Sequence, residues 1–137
     1  SPSMNFFSAT LVGDGGDLAV DCGSFRIKIT DKIRSRLMAG PGQRVIFGIR
    51  PEDIFHPDFI APGVNVVRVT SKVDVTELMG NEIFLYLLAG DQPYIARVDP
   101  RGYTRPGETI EMAFNADNIH LFNADVEGQP TLLRPLS

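Results

Sequence analysis

The side chains with the most versatile chemistry in this sequence are two histidines and one cysteine, and their spacing predicts no active site. His56 and His120 lie far apart, and two histidines with one cysteine match no common zinc-binding spacing. The sequence contains no Gly-x-Ser-x-Gly elbow that would present a nucleophilic serine. We therefore interpret His56 as a solvated loop residue and His120, which lies between two apolar residues, as a structural histidine. Cys22 has no basic neighbour in the sequence, which predicts an inert thiol.

Phosphate chemistry is excluded by the positions of the lysines. The chain has three, Lys28, Lys32 and Lys72, and none follows a glycine. The loop Gly-x-x-x-x-Gly-Lys-Ser/Thr, whose backbone amides and lysine hold nucleotide phosphates, is therefore absent. We predict that this chain alone has no catalytic residue and no ATP, Mg²⁺ or other metal site, and that it hydrolyses no nucleotide.

Two pairs of carboxylates could in principle work as acid and base or bind a hard cation. They are Asp14 with Asp17, and Glu108 with Glu111. Both pairs lie beside glycines, so we interpret them as solvated turn residues.

Composition narrows the class of protein further. The chain has 137 residues, a net charge of -4 and a sequence pI near 5.1, which disfavours long-range attraction to nucleic acid. One cysteine allows no internal disulfide, and no Asn-x-Ser/Thr acceptor is present, so a reducing cytosolic setting fits best. No apolar run approaches the ~20 residues that span a bilayer, so we expect membrane association only through a partner.

Thirteen glycines and ten prolines divide the chain into short segments, which favours strands. A first strand is predicted over residues 5–12, and the alternation around Ile27 predicts another. Residues 31–39 have apolar residues at helical spacing, which predicts a short helix or an irregular loop. A strand over residues 44–50 should end at Pro51, because Pro51 can open a helical turn.

The pattern of the second half of the chain predicts a series of longer strands. A strand over residues 64–79 is long enough to be bent or bulged, and its alternation places Val67, Val69, Ser71, Val73 and Val75 on one face. The strand around residues 83–88 is apolar on both faces, so both should be covered. A tail with its turn at Gly128 should pair back onto the sheet. The predicted fold class is all-β, an OB-like small barrel or two intergrown lobes, with one or two short helical turns.

Four short motifs carry more information than the composition. They are Ser-Pro-Ser-Met-Asn-Phe at residues 1–6, Gly-Ile-Arg-Pro-Glu at residues 48–52, Glu-x-x-Gly-Asn-Glu at residues 77–82, and His-Leu-Phe at residues 120–122. Together they resemble the accessory C-terminal domain, of TOBE or OB-fold type, of ATPase subunits from ATP-driven sugar importers of the MalK type. Order and spacing agree over essentially the whole chain. Asn115, Ala116 and Asn123 differ from the residues that are common in this family around the His-Leu-Phe motif. These differences bear on which regulator or substrate class the protein has, and not on the family.

The resemblance implies a role. Residues 1–137 would form a single non-catalytic C-terminal domain for regulation and dimerisation, without the nucleotide-binding domain that holds ATP and Mg²⁺ in the parent protein. Its partners would be a second copy of the subunit, permease subunits through the parent protein, and a regulatory protein, with no nucleic acid. Its location would be cytoplasmic, at the inner face of the plasma membrane through the importer complex.

The resemblance also implies site residues. A dimer contact would involve three residues, of which the last two would form an exposed apolar patch: His120, Leu121 and Phe122. The motif or regulatory surface would involve nine residues: Gly42, Gly48, Arg50, Pro51, Glu52, Glu77, Gly80, Asn81 and Glu82. Glycine at positions 42 and 48 would permit close approach of a partner. Each motif also has a purely structural reading, because Arg50-Pro51-Glu52 can end a strand and Gly80-Asn81 can form a hairpin turn.

Two alternatives remain open at this point. The first is a small-ligand or oxyanion sensor of an importer ATPase, with the site lined by arginines chosen from Arg44, Arg50, Arg97 and Arg101. The second is an OB-fold that binds single-stranded nucleic acid, for which the chain offers three tyrosines, no tryptophan and a charge of the wrong sign. The sequence does not identify the transported solute; sugars or glycerol phosphate are the expected classes.

Overall fold

The computed structural model describes residues 3–136, and these form ten β-strands, one short α-helix and two 3-10 turns. The strands, in chain order, are β1 Asn5–Asp14, β2 Asp17–Asp21, β3 Arg26–Lys28, β4 Arg44–Ile49, β5 Ile54–Phe55, β6 Val66–Met79, β7 Glu82–Ala89, β8 Gln92–Val98, β9 Thr109–Asn115 and β10 His120–Asn123. The helix α1 covers Asp31–Arg34, and the 3-10 turns cover Pro51–Asp53 and Ala116–Asn118. The all-β prediction is confirmed.

The strands form two antiparallel five-stranded sheets. Sheet 1 has the order β10-β4-β1-β2-β3, and sheet 2 has the order β5-β9-β6-β7-β8. In sheet 2, β8 also lies against β5 and the 3-10 turn Pro51–Asp53, so this sheet curls into a half-barrel. Sheet 1 therefore consists of the N-terminal third of the chain plus β10, which returns from the far end.

A cluster of aromatic rings joins the two sheets in the core. Phe7 and Phe47 come from sheet 1, Tyr94 and Phe114 come from sheet 2, and Phe25 lies between them. Phe25 is 5.7 Å from Phe114 and 5.2 Å from Phe7 between ring centroids, both in edge-to-face geometry. Such pairs add to the free energy gained by burial, so this cluster is a major link between the sheets.

The buried amide of Asn5 makes a second link. Its Oδ1 accepts a hydrogen bond from the Ile95 amide at 2.9 Å, and its Nδ2 donates to the Ile95 carbonyl, also at 2.9 Å. Nδ2 also donates to the carbonyl of Ile49 at 3.2 Å. The side chain thus imitates a strand's backbone, and it attaches β1 of sheet 1 to the edge strand β8 of sheet 2.

The long strand β6 contains the irregularity that its length predicted. Its register against β7 shifts between Val73, which pairs with Leu87, and Val75, which pairs with Tyr86. The extra residue, Asp74, reverses the side-chain alternation beyond it. The prediction that Val75 shares a face with Val73 was therefore wrong: Val73 is buried, while Val75 lies on the outer face and is exposed.

The outer face of β7 is only partly covered, although the sequence predicted cover on both faces. Ile83 and Leu85 point into the core and are fully buried. On the opposite face Phe84 is buried but Tyr86 and Leu88 are half-buried. These two residues line an apolar groove together with Phe6.

The helical turns lie close to where the sequence placed them. Within the predicted segment 31–39, α1 is a single turn capped by Thr30, whose Oγ1 accepts a hydrogen bond from the Ile33 amide at 3.3 Å. The strand β4 ends one residue before Arg50, and Pro51 opens a 3-10 turn, as predicted. The tail also pairs back as predicted, through single bridges from Thr131 to Phe122 and from Leu133 to Leu37.

Candidate functional site

The clearest candidate site is an apolar patch on the outer face of sheet 1. The strand register places Phe6, Gly48 and His120 side by side on β1, β4 and β10. Phe6 is 61% exposed, which is high for a phenylalanine. Met4 and Phe122 lie over Gly48 and complete the patch. We call these five residues the sheet 1 patch.

The rings of the patch are held against one another. Phe122 lies 6.2 Å from Phe6 between centroids in edge-to-face geometry, and 6.3 Å from the nearly parallel ring of His120. Burial lowers the pKa of His120, and the charge of Arg50 lowers it further. A neutral imidazole at physiological pH keeps the patch apolar at this point, which suits burial against another protein.

The three predicted dimer-contact residues do not all reach this surface. His120 and Phe122 face outward and are half-buried, but Leu121 alternates with them and is completely buried in the core. The prediction that Leu121 and Phe122 form an exposed patch was therefore wrong for Leu121. Its place is taken by Phe6 and Met4.

Gly48 has a different role from the predicted one. A Cβ atom at this position would lie 2.6 Å from Met4 Sδ and 3.3 Å from Phe122 Cε2. The close approach that glycine permits is therefore made by side chains of the same chain. Gly48 shapes the patch from below and does not itself present a free surface.

The close approach of a partner at Gly42 stays a prediction, but the structure shows why glycine occupies this turn. No atom lies within 4 Å of where its Cβ would be, but its φ is +89°, a conformation that side chains rarely adopt. Its amide donates to the carbonyl of Leu11 at 2.7 Å. Glycine is needed at this turn for its backbone conformation.

Replacing Gly42 with valine should therefore lower the free energy of unfolding by about 2 kcal/mol, the cost of forcing a β-branched residue into this conformation. Urea denaturation measures the change. Gly40→Val is the matched control, because Gly40 has open space but no positive φ, and it should cost less than about 0.5 kcal/mol. Equal losses in the two variants would contradict the backbone explanation.

The Gly48–Glu52 motif ends β4 and turns the chain from sheet 1 into sheet 2. Arg50 and Glu52 are exposed, whereas Pro51 is buried. The Asp53 amide closes the turn on the carbonyl of Arg50 at 3.0 Å. The structural interpretation of this motif is thus correct, and the side chains of Arg50 and Glu52 are exposed to solvent.

The Glu77–Glu82 motif lies at the end of the hairpin formed by β6 and β7. Gly80 has a φ of +61°, as the hairpin turn requires, and Asn81 is exposed beside it. Glu82 Oε1 lies 3.6 Å from Nε of Arg97, and Glu77 accepts a hydrogen bond from the hydroxyl of Tyr86 at 3.3 Å. The motif surface therefore divides into two regions, one beside the sheet 1 patch and one on this hairpin.

The four arginines considered for an oxyanion site do not converge. Arg44 pairs with Asp125 at 3.4 Å, and Arg50 donates to the carbonyl of Ser3 at 3.4 Å. Arg97 and Arg101 share a cleft of about 610 Å³, but Glu52, Asp58 and Asp99 also line it. Arg101 holds the Asp99 carboxylate through two hydrogen bonds, which lower the pKa of Asp99 to about 2. Carboxylates thus already pair with Arg44, Arg97 and Arg101, and the side chain of Arg50 is bonded to a backbone carbonyl.

The remaining chemical candidates have structural explanations. Burial raises the pKa of the Cys22 thiol to about 12, with a further contribution from Asp21. Asp14 and Asp17 face each other across the turn between β1 and β2. The interpretation of His56 as solvated was wrong, because its side chain is only 11% exposed and its Nδ1 accepts a hydrogen bond from the Asp58 amide. No group of three or more potential metal ligands occurs within residues 3–136. No helix in that range is long and apolar enough to cross a membrane.

Sequence reasoning missed Met4, Phe6 and Asn5 as site or linking residues, although they belong to a recognised motif. Alternation along β1 was the signal for Phe6, because Phe7 and Leu11 share the core face and Phe6 must then face outward. No sequence signal could reveal that the amide of Asn5 pairs with Ile95, 90 residues away. Ser1 and Pro2 of the same motif lie outside the described residues.

Comparison with family models assigns the two parts of the chain. A model described as the MalK OB fold domain matches residues 1–54, and one described as the TOBE domain matches residues 47–122, more than half of the chain. The two matches overlap where the chain passes from sheet 1 to sheet 2. The first match thus corresponds to most of sheet 1, and the second covers sheet 2 and most of β10.

Curated relatives and a solved structure agree with this assignment. The chain is 35% identical over 133 residues to the multiple sugar-binding transport ATP-binding protein MsmK of Streptococcus mutans, and the match covers 93% of this chain and 33% of that protein. It is 34% identical over 128 residues to the trehalose/maltose import ATP-binding protein MalK of Thermococcus litoralis, covering 90% and 33%. The chain thus spans about a third of the length of these relatives.

The solved structure concerns the fold alone. The cytoplasmic molybdate-binding protein ModG superposes with a TM-score of 0.61 at 18% identity, covering 85% of this chain and 94% of that one. The family models described as the MalK OB fold domain and the TOBE domain confirm the OB-like architecture predicted from the sequence.

Proposed function

Because the chain belongs to the TOBE domain family and carries a MalK OB fold domain at its N-terminal end, we propose that it is the regulatory and dimerisation domain of the ATP-binding subunit of a bacterial ABC importer. The names of two relatives, which mention sugars and trehalose or maltose, support sugars as the solute class. Glycerol phosphate stays the alternative that the resemblance of the motifs implies. Residues 1–137 act as one unit without catalysis of their own. ATP and Mg²⁺ belong to another part of the protein, since this chain has no lysine placed to hold phosphates.

The observation that carries the proposal is the sheet 1 patch. A contact between two copies rests on burial of apolar surface, and aromatic residues dominate such contacts. Phe6, Phe122 and the neutral ring of His120 provide such a surface on a rigid sheet, in which each strand of the patch is hydrogen-bonded to the next. A second copy of the chain, related by two-fold symmetry, would place the same patch against itself.

In this role the domain keeps two subunits together while their nucleotide-binding domains open and close. Its other partners are the permease subunits, reached through the parent protein, and a regulatory protein that contacts the motif surface. Its location is the cytoplasmic face of the plasma membrane, within the importer complex. Arg50 and Glu52, exposed at the edge of the patch, are placed to set the register of the contact.

Replacing Phe122 with aspartate tests the proposal. The new carboxylate would lose its water on association, so the affinity between copies should fall at least about 30-fold. Sedimentation velocity over a range of protein concentrations measures the change. Leu78→Asp is the matched control, because Leu78 is an exposed apolar residue on the β6–β7 hairpin, and it should leave the affinity unchanged. If the wild type and Phe122→Asp associated with equal affinity, the result would contradict the proposal.

A further inference from the structure

The free edge of β6 is a second exposed surface, separate from the sheet 1 patch. The strand β9 pairs with β6 from Val66 to Lys72, and two backbone hydrogen bonds tie Val73 to residues 107 and 108. Beyond Val73, this edge of β6 has no strand partner within residues 3–136. The hydroxyl of Thr76 donates to the carbonyl of Thr104, which brings the loop before β9 alongside.

Exposed apolar side chains concentrate at this edge. Of the eight large apolar residues that are most exposed in the described chain, four lie on β6 beyond the bulge or in the adjacent loop: Val75, Leu78, Met79 and Tyr103. Natural proteins usually protect a free edge with charges, prolines or short strands. The bulge at Asp74 also protects a free edge, because it bends the strand. The exposed apolar residues after it give no such protection, so they favour the binding of another chain at this edge.

The charge of the hairpin indicates what would bind. Residues 73–96 contain four carboxylates and no lysine or arginine. Arg97 lies near Glu82, but Asp74 and Glu77 form no salt bridge within residues 3–136. A partner that buries the apolar residues must therefore face these carboxylates, and basic side chains would complement them.

We infer that the free edge of β6 from Asp74 to Met79 binds an extended segment of a partner protein in which apolar residues alternate with lysine or arginine. The segment pairs with β6 as an added strand. Its backbone hydrogen bonds provide affinity, and its alternate side chains meet Leu78 on one face of the sheet and Glu77, with Met79 beside it, on the other. The bound segment would belong to the regulatory partner proposed above. That the partner is a regulator rests on the proposed function, whereas the binding itself is inferred from the strand edge and its side chains.

The hairpin end and the sheet 1 patch are far enough apart to be occupied together. Asp74 lines a groove with Phe6, and the turn at Gly80 is six residues further along β6. At about 3.3 Å per residue, the hairpin end lies about 20 Å beyond that groove. A segment bound at the Glu77–Met79 end of this edge therefore leaves the contact between two copies free, whereas Asp74, at the other end of the edge, borders the groove that Phe6 lines.

A phage-displayed library of random ten-residue peptides, selected on the full 137-residue chain, tests the inference. We expect enriched peptides in which apolar residues alternate with lysine or arginine. Their affinity should fall at least tenfold for Glu77→Lys and for Leu78→Ser. Glu127→Lys and Leu136→Ser are the matched controls, since Leu136 is 72% exposed against 69% for Leu78, and both controls should bind within twofold of wild type.

Three results would overturn the inference: no enrichment over empty beads, enrichment of acidic peptides, or equal binding to wild type and both hairpin variants. The two variants change charge and apolar surface separately, so either one suffices if the other lowers stability. Self-association of the hairpin variants, measured by sedimentation, should be that of wild type. This keeps a failure of the hairpin site distinct from a failure of the dimer contact.

Discussion

Replacing Phe114 with alanine is expected to lower the free energy of unfolding by about 4 kcal/mol, the largest effect of any substitution considered for this chain. Phe114 is fully buried, and its ring lies 5.3 Å from Tyr94 and 5.7 Å from Phe25 between centroids. Alanine would lose these contacts and leave a cavity where sheet 2 meets sheet 1, because the surrounding β-strands can close only part of the gap.

Urea denaturation followed by circular dichroism measures this change. Phe6→Ala is the control, since it removes the same side chain from a position that is 61% exposed, and it should cost less than about 1 kcal/mol. If Phe114→Ala and Phe6→Ala were equally stable, the aromatic cluster would not be the link between the sheets.

Replacing Asn5 with alanine is expected to lower the free energy of unfolding by about 3 kcal/mol. The substitution leaves the Ile95 amide and the carbonyls of Ile95 and Ile49 without their partner, and each unsatisfied buried group costs about 1–3 kcal/mol. The cost should be below the sum of the three, because part of this site lies near the surface and water can replace some of the bonds.

Hydrogen exchange identifies the cause of this second effect. The Ile95 amide should exchange much faster in Asn5→Ala, whereas amides in the middle of β1 should change only with global stability. Asn118→Ala is the control, because the side-chain amide of Asn118 donates to the Asp53 carboxylate at the exposed surface. Loss of this exposed hydrogen bond should cost less than about 1 kcal/mol. Unchanged exchange at Ile95 would contradict the role of Asn5 as a link between the sheets.

The turns of the fold could be predicted from the sequence, because the backbone preferences of single proline and glycine residues determine them. Pro51 cannot continue β4 and suits the start of a turn, and the 3-10 turn Pro51–Asp53 is found there. Gly80 permits the positive φ of a hairpin turn, and β6 and β7 are joined at that residue. The motifs at residues 48–52 and 77–82 pointed to the correct family for the same reason, since they combine rigid and permissive residues in a fixed order.

The pairing of strands that are far apart in the sequence could not be predicted in the same way. Nothing near His120 in the sequence indicates that β10 pairs with β4, more than 70 residues earlier, and this pairing alone brings Phe122 beside Phe6. The bulge at Asp74 shifted the face of Val75, because one extra residue reverses the alternation of every side chain after it. The burial of Leu121 follows from the same alternation once β10 is known to be a strand.

The site therefore depends on tertiary pairing more than on any single motif. His120 and Phe122 were predicted from the family motif, but Met4 and Phe6 join them only because β1 and β10 both pair with β4. Gly48 was predicted as a partner surface, and the structure gives it the internal role of accommodating Met4. A contact surface of this kind is encoded in strand register, which composition and spacing do not reveal.

We propose that this chain acts through contact between copies at the sheet 1 patch. The most direct test of this claim is a series of ¹H–¹⁵N correlation spectra recorded at increasing concentrations of the wild-type chain. We expect concentration-dependent shifts at the amides of Phe6, Gly48, His120 and Phe122, and their absence in Phe122→Asp. Spectra that stay constant up to millimolar concentration, or shifts confined to other surfaces, would contradict the claim.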